Sequence, residues 1–457
     1  MNEHRIDVAI IGGGISGLAA AYELQQRGVS MRVLEASSRA GGVIRTDRFD
    51  GWVIDGGPDA LLVQKPAAVA LCRELGLAAR LISTQQPRTA YVLRDGELVP
   101  LAQGSFLGFP ISMAALAMSP LFTWAGKLRM AAEVAIPRGD GRDESIASFV
   151  DRRFGTEAVY YLAEPLLAGI HAGDADALSI AALFPRLLEA ERQSGSVLRA
   201  MRALHVKPSP DGAFVSLPGG VGELVDVLAA QLGSDTVQLS ARVTGITRGD
   251  GYVVRSEQGT IAARSVIVCT PAYVTAELVR PFDVSLAALC ESVTYASTAT
   301  VAFGYRRSQI AHPLHGTGFV VPRVEQSPLL AATWVTSKWP GRAPADCALI
   351  RGFLGGGRDP DRLKASDEKL VQLAREELTG ILAINGDPLV TRLYRFDRQS
   401  PQYAVGHLDR AAAIEKRIAA LPGLYVAGSG FRAIGIPDCI ADARATAGRA
   451  AEFLRTT

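Results

Sequence analysis

The first 35 residues contain the pattern that most constrains the fold of this chain. An apolar run of strand length at 7–11 leads directly into Gly12, Gly13 and Gly14, and a helical stretch over 18–26 follows. A second strand over 31–34 then ends at Glu35. Strand, glycine turn, helix, strand and acidic residue in this order are typical of a dinucleotide-binding βαβ unit.

The residues of this unit have separate predicted roles. Gly12 permits the tight turn, Gly14 lets the backbone approach a pyrophosphate, and Gly17 lets the helix pack on the strand. The start of the helix offers unpaired N–H groups to phosphates, and Glu35 can accept hydrogen bonds from both ribose hydroxyls. The predicted dinucleotide contacts in this unit are Gly12, Gly14, Ile15, Ser16, Gly17, Glu35 and Ala36.

Composition excludes several classes of protein. The chain has 457 residues, 48% of them apolar, with 48 basic and 46 acidic side chains. That length and hydrophobicity predict about three folded units rather than disorder, and the balanced charge argues against a nucleic-acid partner. The five cysteines include no CxxC pair, so neither a disulfide framework, a zinc site nor another metal site is indicated. We expect a cytoplasmic small-molecule enzyme, since the chain begins without a cleavable leader pattern.

An uncharged stretch over 98–126 complicates this expectation, because its length would suffice to span a bilayer. Pro100, Pro110 and Pro120 interrupt it, and each proline removes a helical hydrogen bond that lipid cannot replace. We therefore expect broken helices buried in a core. A helical surface that rests on a membrane, or that forms an apolar mouth, is the alternative.

The rest of the chain predicts a mixture of helices and strands. The region from 90 to 202 has a helical pattern, and strands return after 213. Near the end, a buried strand precedes a helix that should start near Asp438. The predicted helices are 143–153, 156–167, 179–192 and 367–378, and the predicted strands are 238–247, 252–256, 265–270, 298–305, 317–321, 329–335, 348–354 and 423–427.

Several features favour FAD over NAD as the dinucleotide. Arg39, Gly41 and Gly42 follow Glu35 at a spacing that matches the second phosphate-side motif of flavoproteins with two dinucleotide-type domains. The C-terminal strand and its glycines resemble the segment that holds their flavin ring. The glycines at 219–222 more plausibly open an ordinary helix than a second nucleotide fold, which leaves oxygen or a quinone as electron acceptor.

Four further runs carry a more specific resemblance. They are GGPD at 56–59, EPLLAGIHAGD at 164–174, PQYAVGH at 401–407 and GIPDCI at 435–440. With them the chain resembles, over nearly its whole length, the oxygen-dependent protoporphyrinogen/coproporphyrinogen oxidase family of monoamine-oxidase-like flavoproteins.

The resemblance implies an α/β plus α+β fold in three interleaved parts. A Rossmann-like FAD-binding domain would comprise 1–60, 215–275 and 405–457. A mixed-sheet substrate domain would comprise 61–90 and 276–404. A helical domain over 91–214 would complete the fold, and in relatives this part can rest on the cytoplasmic face of a membrane.

The implied activity is the six-electron oxidation of a porphyrinogen to a porphyrin by FAD and molecular oxygen in haem biosynthesis, with release of hydrogen peroxide. An apolar macrocycle edged with propionates needs apolar walls and cationic anchors. By resemblance, Arg88 and Lys65 would bind propionates, Val320 and Phe353 would enclose the ring, and the carbonyl of Gly169 would receive a pyrrole proton. Further FAD contacts implied by resemblance are Gly57, Pro58, Val243, Gly428, Gly435, Ile436 and Pro437.

Two substrates compete. Arg88 resembles the branch that acts on protoporphyrinogen IX, whereas the runs around Gly169 and 317–320 resemble the branch that acts on coproporphyrinogen III. We prefer protoporphyrinogen narrowly. A flavin amine oxidase and a flavin-binding scaffold without activity are the alternatives outside porphyrin chemistry. Peripheral membrane contact, handover to the next enzyme of haem synthesis and a homodimer are left open.

Overall fold

The structure is a computed structural model that describes residues 5–102, 105, 107–110, 112–203 and 212–456. Two large sheets and a helical unit account for most of these residues. The chain visits the two sheets alternately, so each sheet is assembled from separated segments. This alternation agrees with the interleaving expected from the sequence, while the exact domain boundaries stay a prediction.

The strands, in chain order, are β1 (Ile6–Ile11), β2 (Met31–Leu34), β3 (Thr46–Phe49), β4 (Trp52–Asp55), β5 (Leu61–Leu62), β6 (Ile82–Ser83), β7 (Ala90–Arg94), β8 (Glu97–Pro100), β9 (Phe214–Ser216), β10 (Val237–Gln238), β11 (Val243–Gly249), β12 (Gly251–Ser256), β13 (Gly259–Val268), β14 (Tyr295–Arg306), β15 (Gly318–Val320), β16 (Ala331–Trp334), β17 (Cys347–Gly355), β18 (Val390–Pro401) and β19 (Leu424–Val426).

The α-helices are α1 (Ile15–Gln26), α2 (Ala67–Glu74), α3 (Met113–Met118), α4 (Trp124–Ala131), α5 (Ile146–Phe154), α6 (Thr156–Ala158), α7 (Ile180–Leu183), α8 (Pro185–Ser194), α9 (Val197–Ala203), α10 (Gly222–Leu232), α11 (Ala272–Val279), α12 (Val284–Glu291), α13 (Val335–Lys338), α14 (Asp367–Leu382), α15 (His407–Ala419) and α16 (Ile436–Thr456).

The first sheet has the strand order β10-β2-β1-β13-β12-β11, and β19 also pairs with β13. Its strands β10, β2, β1, β13 and β19 are parallel, whereas β11 and β12 form an antiparallel hairpin. Helices α1, α10 and α16 pack on one face, and α11, α12 and α15 pack on the other. The carboxyl ends of β1 and β19 therefore lie at the same edge, where a doubly wound sheet binds its ligand.

The second sheet has the order β18-β14-β17-β16-β15-β7-β8. One face packs on α14 through Leu370, Ala374, Leu378 and Leu382. The other face is covered at one side by the helical unit and at the opposite side by β3, β4 and α13. A strip between these two covered areas remains only half-buried.

The structure corrects three expectations about the strands of the two sheets. The segment from 90 is not helical at its start, because β7 and β8 form a hairpin that extends the second sheet. The predicted strand over 238–247 is two pieces, since Ser240 adopts a positive φ of 52° and separates β10 from β11. Strand β18, which pairs along most of β14, was not predicted.

Prolines explain the differences in the helical unit. The helix predicted over 179–192 is divided into α7 and α8 at Pro185. The one predicted over 156–167 is α-helical only over α6 and continues as a π-helix over Val159–Ala168, with Pro165 inside it. A proline has no N–H to donate to the preceding turn, so a regular α-helix is interrupted there.

The uncharged stretch is divided among β8, α3 and the start of α4. Within the described ranges, the structure has no helix with the length and apolarity needed to cross a membrane. Met118, Trp124 and Leu128 are nevertheless largely exposed. The expectation of broken helices is therefore correct, but part of their apolar surface faces outward.

Candidate functional site

The glycine turn between β1 and α1 leaves no room for a side chain at Gly12 or Gly17. A Cβ at Gly17 would overlap the carbonyl oxygen of Gly12, so helix and strand touch through their backbones. Gly12 has a φ of 102°, which favours glycine. At Gly14, by contrast, a Cβ would meet only the Cα of Gly42 at 3.9 Å. The turn therefore leaves open space at Gly14, in front of the first N–H groups of α1.

Glu35 is held in place by the turn that it faces. Its Oε2 accepts a hydrogen bond from the N–H of Gly13 at 2.6 Å, and its Oε1 accepts from the N–H and the hydroxyl of Ser37 at 2.8 and 2.7 Å. The carboxylate is only half-buried, and Oε2 has a second lone pair beyond its bond to Gly13. Glu35 can therefore accept hydrogen bonds from a diol beside the turn, whereas the neighbouring Ala36 is exposed.

The loop after β2 continues this cradle. The N–H of Gly41 donates to the carbonyl of Gly13 at 2.8 Å, which brings the two glycine runs together. Arg39 donates to the carbonyls of Gly42 and Ile44 at 2.5 and 3.0 Å. The guanidinium thus shapes its own loop, and the positive φ angles of Gly41 and Gly42 allow the loop to turn.

The end of the chain closes the same crevice. Gly428 has a φ of 107°, and a Cβ there would lie 3.0 Å from the hydroxyl of Ser16 at the start of α1. The N–H of Gly428 donates to Asp442 in α16 at 2.9 Å. Helix α16 begins at Ile436, two residues earlier than expected, and Asp438 lies within its first turn. Gly435, Ile436 and Pro437 therefore lie where α16 meets the crevice.

Three titratable groups lie near this helix start. The ammonium of Lys65 is 2.5 Å from Oδ2 of Asp438, which also accepts from the N–H of Gly435 at 3.3 Å. Burial, and then the charge of Lys65, lower the pKa of His171 to about 4, so the imidazole is neutral at physiological pH. The structure therefore places Lys65 against the cofactor side of the crevice, and its predicted contact with substrate stays a prediction.

Two more predicted contacts flank the crevice. A Cβ at Gly57 would overlap the carbonyl of Val43, so this loop passes close to the cradle, with Pro58 directly after it. On the opposite side, the N–H of Ala241 donates to the carbonyl of Glu35 at 2.7 Å. Val243 follows at the start of β11 and packs partly against the core of the first sheet. Both segments are thus fixed to the loops that carry the two glycine runs.

The half-buried strip of the second sheet forms a wall beside this crevice. Val320, Ala331 and Phe353 are paired in register on adjacent strands, and Phe353 is paired in turn with Thr300. Directly paired residues project on the same face of an antiparallel sheet. The hydroxyl of Thr300 donates to the carbonyl of Gly56 at 2.6 Å. The face that carries Val320 and Phe353 is therefore directed toward the GGPD loop; we call this strip (Val320, Ala331, Thr333 and Phe353) the substrate face.

A buried charged cluster lies at one end of the substrate face. Asp59 is 2.9 Å from the ammonium of Lys338 and 3.6 Å from the guanidinium of Arg351, and it accepts from Nε1 of Trp339 at 3.2 Å. Burial alone would raise the pKa of Asp59, but Lys338 and Arg351 hold it well below its usual range. Arg351 also donates to the carbonyls of Asp55 and Gly57.

Arg88 is half-buried in the loop before β7. Its Nε donates to the carbonyl of Thr84 at 3.1 Å. A Cβ at Gly212 would lie 2.9 Å from the same nitrogen, so the two segments are closely packed. Strand β7 begins at Ala90, two residues after Arg88, and pairs there with the second sheet. Arg88 therefore lies at the edge of the sheet that carries the substrate face, and its predicted contact with a propionate stays a prediction.

Gly169 lies where the π-helix ends and a short 3-10 turn begins. Its backbone is helical, with φ −59° and ψ −37°, and its carbonyl accepts from the N–H of Ala172 at 3.0 Å. Glu164 anchors this segment through Arg323 and Arg358, at 3.2 and 3.3 Å. The predicted role of the Gly169 carbonyl as proton acceptor stays a prediction.

His407, in the PQYAVGH run, is held in place by a hydrogen bond and a ring contact. Nε2 of His407 lies 3.0 Å from the carbonyl of Phe431, and its ring stacks on Tyr403 at 3.6 Å. The hydroxyl of Tyr403 donates to the carbonyl of Ser429 at 3.0 Å. The PQYAVGH run therefore supports the loop that carries Gly428.

These arrangements fit a bound FAD. The open cradle at Gly14, the first turn of α1, the half-buried Glu35 and the start of α16 converge on one crevice, and within the described ranges no cluster of three or more metal-ligating side chains competes with it. Sequence reasoning did not single out Lys338 or Arg351. Their partners lie 279 and about 300 positions away in the chain, so no local pattern could have indicated them.

Comparisons with known proteins bear on this crevice. Residues 15–451 match the model of the family described as flavin containing amine oxidoreductase. The chain is 33% identical to a coproporphyrinogen III oxidase of Bacillus subtilis, over 99% of the chain and all of that protein. It is 28% identical to a chloroplastic protoporphyrinogen oxidase of Nicotiana tabacum, over 98% of the chain and 86% of that protein. The crystal structure of a protein described as a protoporphyrinogen oxidase from Exiguobacterium superposes with a TM-score of 0.88 at 31% identity, covering 99% of this chain and 100% of that one.

Proposed function

The chain belongs to the flavin-containing amine oxidoreductase family, and we propose that within it the protein oxidises coproporphyrinogen III to coproporphyrin III. The observation that carries this proposal is full-length similarity at 30 to 34% identity to coproporphyrinogen III oxidases of several bacteria. The sequence-based resemblance, the oxidoreductase class and FAD as cofactor are confirmed. Our narrow preference for protoporphyrinogen is not: the relatives favour the stated alternative.

We assign the residues of the crevice to FAD binding and those of the substrate face to substrate binding. We assign the cradle at Gly14 and the N–H groups of α1 to the pyrophosphate, and Glu35 to the ribose. The start of α16 would hold the flavin ring. Val320 and Phe353 would enclose the macrocycle, since apolar walls exclude water from the reacting carbon.

When bound, FAD supplies the hydride acceptor, and molecular oxygen then reoxidises it with formation of hydrogen peroxide. Three rounds remove six electrons and six hydrogens, each round as one hydride and one proton, and consume three oxygen molecules. The carbonyl of Gly169 is the group that we assign to receive the pyrrole proton.

The test compares two porphyrinogens on the purified, FAD-loaded protein. We expect coproporphyrinogen III to be oxidised in air with the higher kcat/KM, and three molecules of peroxide to form per porphyrin. Without oxygen, the same substrate should bleach the flavin absorbance. A higher kcat/KM for protoporphyrinogen IX would return the assignment to that substrate. Bleaching by alkylamines, but by neither porphyrinogen, would make the protein an amine oxidase, and no bleaching would indicate a scaffold.

We also propose peripheral membrane contact through α3 and α4. Met118, Trp124 and Leu128 are 83%, 70% and 70% exposed, and the ammonium of Lys127 lies 4.5 Å from the centre of the Trp124 ring. Exposed apolar and aromatic side chains beside a cation are typical of surfaces that rest in lipid headgroups.

Sedimentation with vesicles of anionic and of neutral lipid tests this contact. The double variant Trp124→Ser/Leu128→Ser should lose vesicle binding. The matched control, Val284→Ser/Leu389→Ser, removes two side chains of similar exposure elsewhere and should keep it. Equal behaviour of both variants would contradict the contact. A cytoplasmic location, a homodimer and product handover to a haem-pathway enzyme stay predictions, which fractionation, sedimentation velocity and pull-down with that enzyme can test.

A further inference from the structure

The charged cluster beside the substrate face is not neutral. It contains three cationic side chains, Lys338, Arg342 and Arg351, and two carboxylates, Asp55 and Asp59. Arg342 pairs with Asp55 at 3.0 Å, and Asp59 is shared by Lys338 and Arg351. One positive charge is therefore left without a carboxylate among the described residues.

An uncompensated charge in such a place is unfavourable unless an anion joins it. The side chains of Arg342 and Arg351 are 0% and 4% exposed, and Lys338 is 15% exposed. Nε of Arg351 is buried and has no hydrogen-bond partner. Burial of an unpaired charge is strongly unfavourable. The cluster is thus prepared for an anionic group that the protein itself does not supply.

The position of the cluster indicates which anion this is. Arg351 is paired in register with Thr333, one row below Phe353 on the substrate face, and its guanidinium lies 4.8 Å from the centre of the Phe353 ring. Lys338 is the most exposed cation of the cluster, and its ammonium lies 5.9 Å from the centre of the ring of Phe214, which is 43% exposed. An anion that reached Lys338 would therefore be attached to an apolar body lying against Phe353.

A second cation is tied to the same corner. The carbonyl of Lys338 accepts from the N–H of Gln85 at 3.0 Å, and Gln85 lies in the loop that ends at Arg88. The loop thus connects the backbone of Lys338 with the segment that positions Arg88. Both cations lie at the same end of the substrate face, as binding of adjacent carboxylates on one macrocycle requires.

We propose that Lys338, supported by Arg351, is a carboxylate-binding residue that holds one propionate of the substrate while Asp59 positions its ammonium. This proposal rests on the proposed function, because it assumes a substrate with carboxylates on an apolar ring. Arg351 acts as a positioning residue, since its guanidinium donates to the carbonyl of Gly57 in the GGPD loop and stacks on Phe353.

The experiment removes the cation of Lys338 by substitution and, separately, the carboxylates of the ligand by esterification. The ligands are coproporphyrin III, with four carboxylates, and its uncharged tetramethyl ester, both measured by fluorescence titration on the FAD-loaded protein. For Lys338→Gln we expect the Kd of the free acid to rise tenfold to a hundredfold, and that of the ester by less than twofold. The control Lys364→Gln alters a lysine that is 78% exposed and pairs with Asp361, and it should change neither value.

A second variant guards against a trivial loss of fold. Asp59→Asn adds a positive charge to the cluster, so the Kd of the free acid should fall severalfold, an effect that misfolding cannot produce. Equal effects of Lys338→Gln on acid and ester, or loss of bound FAD in place of porphyrin affinity, would overturn the proposal. If the unaltered protein oxidises coproporphyrinogen but shows no acid-to-ester difference in these variants, only this inference fails. If the unaltered protein binds neither porphyrin and oxidises no porphyrinogen, the proposed function itself fails.

Discussion

In the cofactor crevice, the important contacts are between backbones. Gly17 meets the carbonyl of Gly12, and Gly41 donates to the carbonyl of Gly13. On the substrate face, the contacts are between side chains: Phe353 lies under Arg351, and Lys338 is paired with Asp59. A backbone contact tolerates almost no added atom, whereas a side chain can be shortened and leave the fold intact. The two regions should therefore respond differently to substitution.

The largest effect is expected from Gly17→Ala. Its Cβ would overlap the carbonyl oxygen of Gly12, and backbone atoms of a central strand cannot move away without displacing α1. We expect loss of FAD binding and a lower melting temperature, measured by flavin absorbance and calorimetry. Gly380→Ala is the control, because it lies in α14 with open space around it and should raise stability by about 0.5 to 1 kcal/mol. Similar behaviour of the two variants would contradict the contrast.

Glu35→Ala should act on the cofactor alone. A hydrogen bond to a charged group contributes about 1.5 to 3 kcal/mol, so FAD should dissociate roughly ten- to over a hundredfold more easily, while the KM of FAD-saturated enzyme for the porphyrinogen stays unchanged. Equilibrium dialysis measures the first quantity and steady-state kinetics the second. Ser37→Ala removes only one donor to Glu35 and should have a smaller effect. Retention of FAD at the level of the unaltered protein would disprove the ribose contact.

Arg88→Ala should act on the substrate alone. If Arg88 holds a propionate in both ground and transition states, its loss raises KM roughly ten- to over a hundredfold, with FAD content unchanged. Arg88→Lys should restore only part, because an ammonium cannot replace a bidentate guanidinium. The exposed Arg73→Ala serves as control, with an expected change below about twofold. An unchanged KM for Arg88→Ala would leave the anchoring role to other cations such as Lys338 and Lys65.

A smaller effect is expected on the pH dependence of folding stability, through His171. Burial and the charge of Lys65 lower the pKa of His171 to about 4, whereas an unfolded histidine titrates near 6.5. Between these values only the unfolded chain binds the proton, so stability is full above about pH 6.5 and falls toward pH 4. The loss should be on the order of 3 kcal/mol. Denaturant unfolding of His171→Asn should lack this slope, and the exposed His315→Asn should keep it; an equal slope in His171→Asn would refute the assignment.

The regions also differ in what could be predicted from the sequence. Gly12, Gly17 and Glu35 lie within one short segment, so their spacing reports their geometry directly. The parallel strands β1, β2 and β19 were predictable for the same reason: buried parallel strands are short apolar runs. Lys338 and Asp59 meet only because α13 and the GGPD loop converge on the second sheet. Strand β18 was missed because it carries charged residues along an edge, where the apolar pattern is weak.

The crevice is completed by residues from opposite ends of the chain, since α1 begins at Ile15 and Gly428 and α16 follow more than 400 residues later. At roughly 5 to 20 residues per second, a ribosome delivers α16 some 20 to 80 seconds after α1. During that interval the face of α1 that will pack on α16, including Leu18 and Ala21, has no partner. The complete crevice that holds FAD therefore exists only after α16 has been synthesised.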